Sequence, residues 1–111
     1  MITVTEEVLK QMVQEIVRAV DPEEIWLFGS RARGEAGPDS DVDLLIVERE
    51  PFGPGRSRWQ EVTRLYDVAA NLRVPMDILV FSRDEVERRR LWRNHVIARA
   101  MREGRLLYER H

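Results

Sequence analysis

Three short apolar runs, at residues 25–28, 42–47 and 74–81, alternate along the chain with longer stretches of helical periodicity. That alternation constrains the fold more than any other feature. Apolar runs of four to eight residues read as buried strands, and strands separated by amphipathic helices build a sheet with helices packed over it. The expected class is α/β (α+β): a small mixed sheet of three to four strands with three main helices. A chain of 111 residues has enough apolar side chains for one modest core, so a single domain over residues 1–111 is expected.

Residues 3–20 read as the first helix, with Val8, Leu9, Met12, Val13, Ile16, Val17 and Val20 at helical spacing. Thr3 with Glu6 fits a capping box, and Asp21-Pro22 ends the pattern. A polar stretch from Gly29, punctuated by Gly34, Gly37 and Pro38, leaves room for a short helical turn before the second strand. Two Pro and two Gly between Glu50 and Gly55 exclude regular structure there. Residues 58–72 read as a second main helix, with Val62, Leu65, Tyr66 and Ala69 inward. Pro75 starts the third strand or puts it at a sheet edge. Ser82 and Glu85 form a second capping box, with Phe81 and Val86 as its hydrophobic staple. The helix they open is expected to run to Glu103-Gly104, with Gly104 as a left-handed cap, before a final short strand at 105–109.

Composition removes several kinds of chemistry. The absence of Cys excludes disulfides, thiolate metal sites and a Cys nucleophile. A net charge of −2 argues against nucleic acid as a direct ligand. Lys10 is the only lysine among 18 basic residues. No apolar run approaches the roughly 20 residues of a membrane span. Residues 1–7 lack a signal-peptide pattern, so a soluble, cytoplasmic protein is expected. His95, placed mid-helix, and His111 share no metal-ligand spacing. Arg88, Arg89 and Arg90 with Arg93 read as a solvated, salt-bridging face. So small a core has few places for three Trp, and at least one is expected at an interface.

Three groups of residues carry chemistry. Gly29-Ser30 directly follows the first strand, where a glycine lets backbone approach a phosphate and the Ser30 hydroxyl can donate to it. Ser40-Asp41-Val42-Asp43 opens the second strand, and alternation puts Asp41 and Asp43 on one face. Two bare carboxylates about 6–7 Å apart repel by about 2.5 kcal/mol at an effective dielectric of about 20. A divalent cation turns that repulsion into attraction, and hard oxygen ligands suit Mg²⁺. Asp77 lies in an otherwise apolar strand, where an acid is poorly tolerated unless paired, protonated, metal-bound or exposed at an edge. If its strand lies beside the second, it joins Asp41 and Asp43. Arg31 and Arg33 are placed either to bind phosphate or, for Arg33, to pair with Glu35 or Asp39.

The runs Gly29-Ser30-Arg31-Ala32-Arg33-Gly34 and Ser40-Asp41-Val42-Asp43-Leu44, followed by Asp77, resemble the signature of the DNA polymerase beta-like nucleotidyltransferase superfamily. They resemble in particular the minimal nucleotidyltransferases (MNT), antitoxins of HEPN/MNT toxin–antitoxin pairs. The resemblance runs from the first helix to Tyr108. It implies that Gly29, Ser30, Arg33 and Ser40 bind the nucleotide phosphates. It implies that Asp41, Asp43 and Asp77 are the catalytic, metal-binding carboxylates for Mg²⁺, two ions of which clamp an in-line displacement. It further implies transfer of AMP from ATP to a tyrosine hydroxyl of a HEPN toxin. The competing expectation is a non-catalytic antitoxin that neutralises its partner sterically. The chain's length leaves little room for an acceptor pocket, so a second protein is expected to supply the acceptor.

Overall fold

The computed structural model describes residues 3–37, 40–92 and 95–110. A four-stranded mixed sheet lies between two helical layers, the α/β class expected. The order along the chain is α1 (Glu6–Val20), β1 (Glu24–Phe28), α2 (Gly29–Ala32), β2 (Val42–Glu48), α3 (Arg58–Leu72), β3 (Met76–Ser82), α4 (Arg83–Arg89), α5 (Val96–Glu103) and β4 (Arg105–Glu109). The strands lie in the order β3-β2-β1-β4. β2 runs parallel to β3 across the α3 crossover, and β1 is antiparallel to both β2 and β4.

The period-two alternation of β2 divides the core. Val42, Leu44 and Ile46 face one layer with Met12, Ile16, Leu65 and Ala69 of α1 and α3. Leu45 and Val47 face the other, with Val86 of α4 and Ile97 and Ala100 of α5. β2 is therefore covered on both faces, which is why its sequence is almost continuously apolar.

Several boundaries differ from expectation. α1 begins at Glu6, and Thr5 rather than Thr3 caps it, its hydroxyl accepting from the Val8 N–H at 3.2 Å. β3 starts after Pro75 and is also an edge strand, so both readings of that proline hold. The last helix is two helices. α4 ends at Arg89, and His95 is not mid-helix but the N-cap of α5, its Nδ1 accepting from the Ile97 N–H at 3.1 Å. Gly104 is extended (φ −88, ψ 174), not left-handed. Its lack of a side chain serves close packing instead, because a Cβ there would collide with the carbonyls of Ala100 and Leu27. Tyr66 is not inward but half-exposed at the edge of the sheet.

Among the described residues, no helix is long and apolar enough to cross a membrane. Arg88, Arg89 and Arg90 pair with Asp84, Glu85 and Glu87, as expected of a solvated face. Arg93, Asp39 and His111 lie outside the described residues. Trp59 and Trp92 are 75% and 58% exposed, while Trp26 packs into the α4–α5 layer.

Candidate active site

The sheet brings the acids together at one end. Asp43 and Asp77 are register partners at the starts of the parallel strands β2 and β3. Neighbouring strands are about 4.8 Å apart, and alternation points both side chains to the α4–α5 face. That layer begins further along the strands, at Leu45, Val47, Leu79 and Phe81, so Asp77 stays exposed and Asp43 half-exposed. Asp41 lies just before β2 and is exposed. The Val42 N–H donates to the Pro75 carbonyl at 2.9 Å, fixing this strand start against the one that carries Asp77. Asp43 lies in register with Phe28 on its other side.

Gly29 follows Phe28 with φ +72, a backbone conformation that L side chains rarely adopt. A Cβ there would collide with Asp43 Oδ2 and sit 3.1 Å from its Cγ. The left-handed backbone favours glycine here, and the Asp43 carboxylate occupies the space a side chain would take, a contact that spacing does not reveal.

The electrostatics are those of crowded acids. Partial burial, with Asp77 and Asp41 nearby, pushes the Asp43 carboxyl above its ordinary range, against the pull of Arg33 and Arg31. Oxygen-only, mutually repelling ligands of this kind fit a hard divalent cation. Among the described residues, no group of three or more His, Cys, Asp or Glu side chains is placed to hold a metal ion, so Asp41, Asp43 and Asp77 share one end of the sheet without forming a preformed metal site.

The arginines divide in a way the sequence does not show. Arg31 donates from Nε (3.2 Å) and Nη2 (2.6 Å) to the Ser40 carbonyl, holding the peptide bond that leads into Asp41. Arg33 turns outward and pairs with Glu35 at 3.0 Å. The Ser40 hydroxyl accepts from the Gly37 N–H at 3.0 Å, which shapes the loop. Ser30 sits half-buried in α2 beside Gly29. The Tyr66 hydroxyl accepts from the Ile78 N–H at 3.2 Å, closing the open edge of β3 next to Asp77, a role its helical spacing does not show.

A family model described as a nucleotidyltransferase domain matches residues 7–110. A Sulfolobus solfataricus protein assigned to the nucleotidyltransferases has a similar structure (TM-score 0.59, 27% identity), with 94% of this chain and 79% of that one aligned. A chain of a toxin–antitoxin complex with AMP-PNP aligns at TM-score 0.56 and 18% identity, over 92% of this chain and 74% of that one. A chain of the Shewanella oneidensis complex of a tri-AMPylated HEPN toxin with its MNT antitoxin aligns at TM-score 0.53 and 15% identity, over 96% and 74%. No curated protein matches the chain.

Proposed function

The chain belongs to the nucleotidyltransferase domain family, and from that premise we propose that it transfers AMP from ATP to a tyrosine hydroxyl of a HEPN-type toxin and so acts as an antitoxin. One observation carries the reading. Asp43 and Asp77 face each other across parallel strands beside a glycine that a side chain at that position would drive into Asp43.

In this reading Asp41, Asp43 and Asp77 hold Mg²⁺, two ions in all. Their oxygen-only donors suit an ion that completes its shell with water and phosphate oxygens. When bound, Mg²⁺ neutralises the triphosphate charge and polarises the phosphoryl oxygens. The chain's own groups do the rest. The Gly29 backbone borders a cavity where the phosphates lie, and the Ser30 hydroxyl donates to them. Arg31 holds the Ser40–Asp41 peptide and so keeps Asp41 aimed. The acceptor hydroxyl oxygen attacks the α-phosphorus, and its proton passes to Asp77. The bond to the bridging oxygen breaks, and pyrophosphate leaves. Arg33 and Ser40 join the phosphate site with donors left free by their present partners, the Arg33 Nη groups beside its Nε bond to Glu35 and the Ser40 O–H beside the bond it accepts from Gly37.

The two complexes named above, one with AMP-PNP and one with an AMPylated HEPN toxin, support the nucleotide and the acceptor by likeness of fold. The test is mass spectrometry of a HEPN-type partner, the product of the neighbouring gene, after incubation with this protein, ATP and Mg²⁺. One or more adenylates on partner tyrosines are expected. An unmodified partner whose toxicity is nonetheless blocked would replace this reading with steric neutralisation.

A further inference from the structure

A cavity of about 150 Å³ is lined by Phe28, Gly29 and Arg33 on one side and by Val96, Arg99 and Glu103 of α5 on the other. It opens on the sheet face that carries Asp43 and Asp77, since Phe28 packs in that layer. Gly29 is the shared wall. Its missing Cβ leaves room for Asp43, and the same residue borders the cavity.

The cavity holds two cations and one anion, and the cations differ in what they already do. Arg31, outside the cavity, is committed to the Ser40 carbonyl, and Arg33 is paired with Glu35. Arg99 is exposed, makes no ion pair among the described residues, and shares the cavity lining with Gly29 from α5, outside the Gly29-Ser30 and Asp41–Asp43 runs. A triphosphate tail carries about −4 and would lie beside three carboxylates, so an uncommitted, permanently charged guanidinium on this wall has an evident use.

We propose that Arg99 binds the terminal phosphates of a nucleoside triphosphate in this cavity, with the base and ribose held elsewhere. The assignment rests on the nucleotidyl-transfer reading and adds to it a residue of α5. Glu103, on the next turn of the same helix and on the same wall, opposes the phosphates and weakens their binding.

The test is equilibrium binding of AMP-PNP and of AMP, each with Mg²⁺, to the wild-type protein and to the variants Arg99→Gln, Arg99→Lys and Glu103→Gln. Losing one charge-assisted contact is expected to weaken AMP-PNP binding by about 10-fold in Arg99→Gln. Arg99→Lys should recover part of the loss, and AMP binding should be the same in all four proteins. Glu103→Gln should tighten AMP-PNP binding, an opposite change that impaired folding cannot mimic. Unchanged AMP-PNP binding in Arg99→Gln, an equal loss for AMP, or weaker AMP-PNP binding in Glu103→Gln would overturn the role of Arg99 while leaving the transferase reading in place. A wild-type protein that binds no AMP-PNP would remove both.

Discussion

At the scale of single residues, the acids at the starts of β2 and β3 trade stability for chemistry. Asp43 is held above its ordinary carboxyl range first by burial and then by Asp77 and Asp41. Its folded form therefore holds a proton more tightly than its unfolded form, and ionisation near neutral pH destabilises the fold. Asp43→Asn should raise the melting temperature without Mg²⁺, while Mg²⁺ should stabilise the wild-type protein more than the variant. Equal melting temperatures and equal Mg²⁺ responses would contradict a metal role for Asp43. A buried acid sits at the other end of β2. Burial, with Glu61 adjacent, pushes the Glu48 carboxyl up to about 7 despite its bond from Arg56, and its Oε2 has no partner among the described residues. Its contribution to folding is complete below the usual 4.5 and is lost as pH rises through about 7. Glu48→Gln should flatten the fall in melting temperature across that window, and a curve parallel to the wild type would refute the assignment. That Asp43, Asp77 and Gly29 come together at one end of the sheet was legible in the sequence, because their spacing relative to apolar runs is local information. The contacts of Arg31 and Tyr66, and the place of Arg99 beside Gly29, were not legible, since only the folded chain brings those groups near.

At the scale of elements, helix and strand identities followed from periodicity, and the misplacements occurred where packing overrides it. The capping box at Ser82 and Glu85 is present, and 58–72 is a helix as spaced. The pattern from 82 to 103 reads as one helix, yet α4 ends at Arg89 and α5 begins at Val96, and both cover β1 and β2. His95 then caps α5 and packs edge-on to Phe81 and Trp92. Gly104 joins α5 to β4 through a gap that has no space for a Cβ. Gly104→Ala should cost about 1–3 kcal/mol, seen as a fall of several degrees in melting temperature. A neutral or stabilising effect would show that the α5–β4 junction is looser than described. Because α5 carries Arg99, the same substitution should also weaken triphosphate binding.

At the scale of the whole molecule, the carboxylates, the Gly29 wall and Arg99 occupy one end of the sheet, on its α4–α5 face. That arrangement leaves the acids open to a second reactant. Trp59, Leu91 and Trp92 are exposed well beyond what a small core requires, Leu91 at 86%, which leaves Trp59 and Trp92 available for the interface expected of a Trp. The partner itself is not written in this sequence, because no residue of the chain encodes the acceptor. The central claim is that Asp41 and Asp43 make this fold a nucleotidyltransferase. It is tested most directly by incubating the protein with ATP labelled at the α-phosphate, Mg²⁺ and the HEPN-type partner. The wild type should transfer label to the partner, and the Asp41→Ala/Asp43→Ala double variant, folded by its melting curve, should transfer none. Label transfer that persists in the double variant would contradict the account.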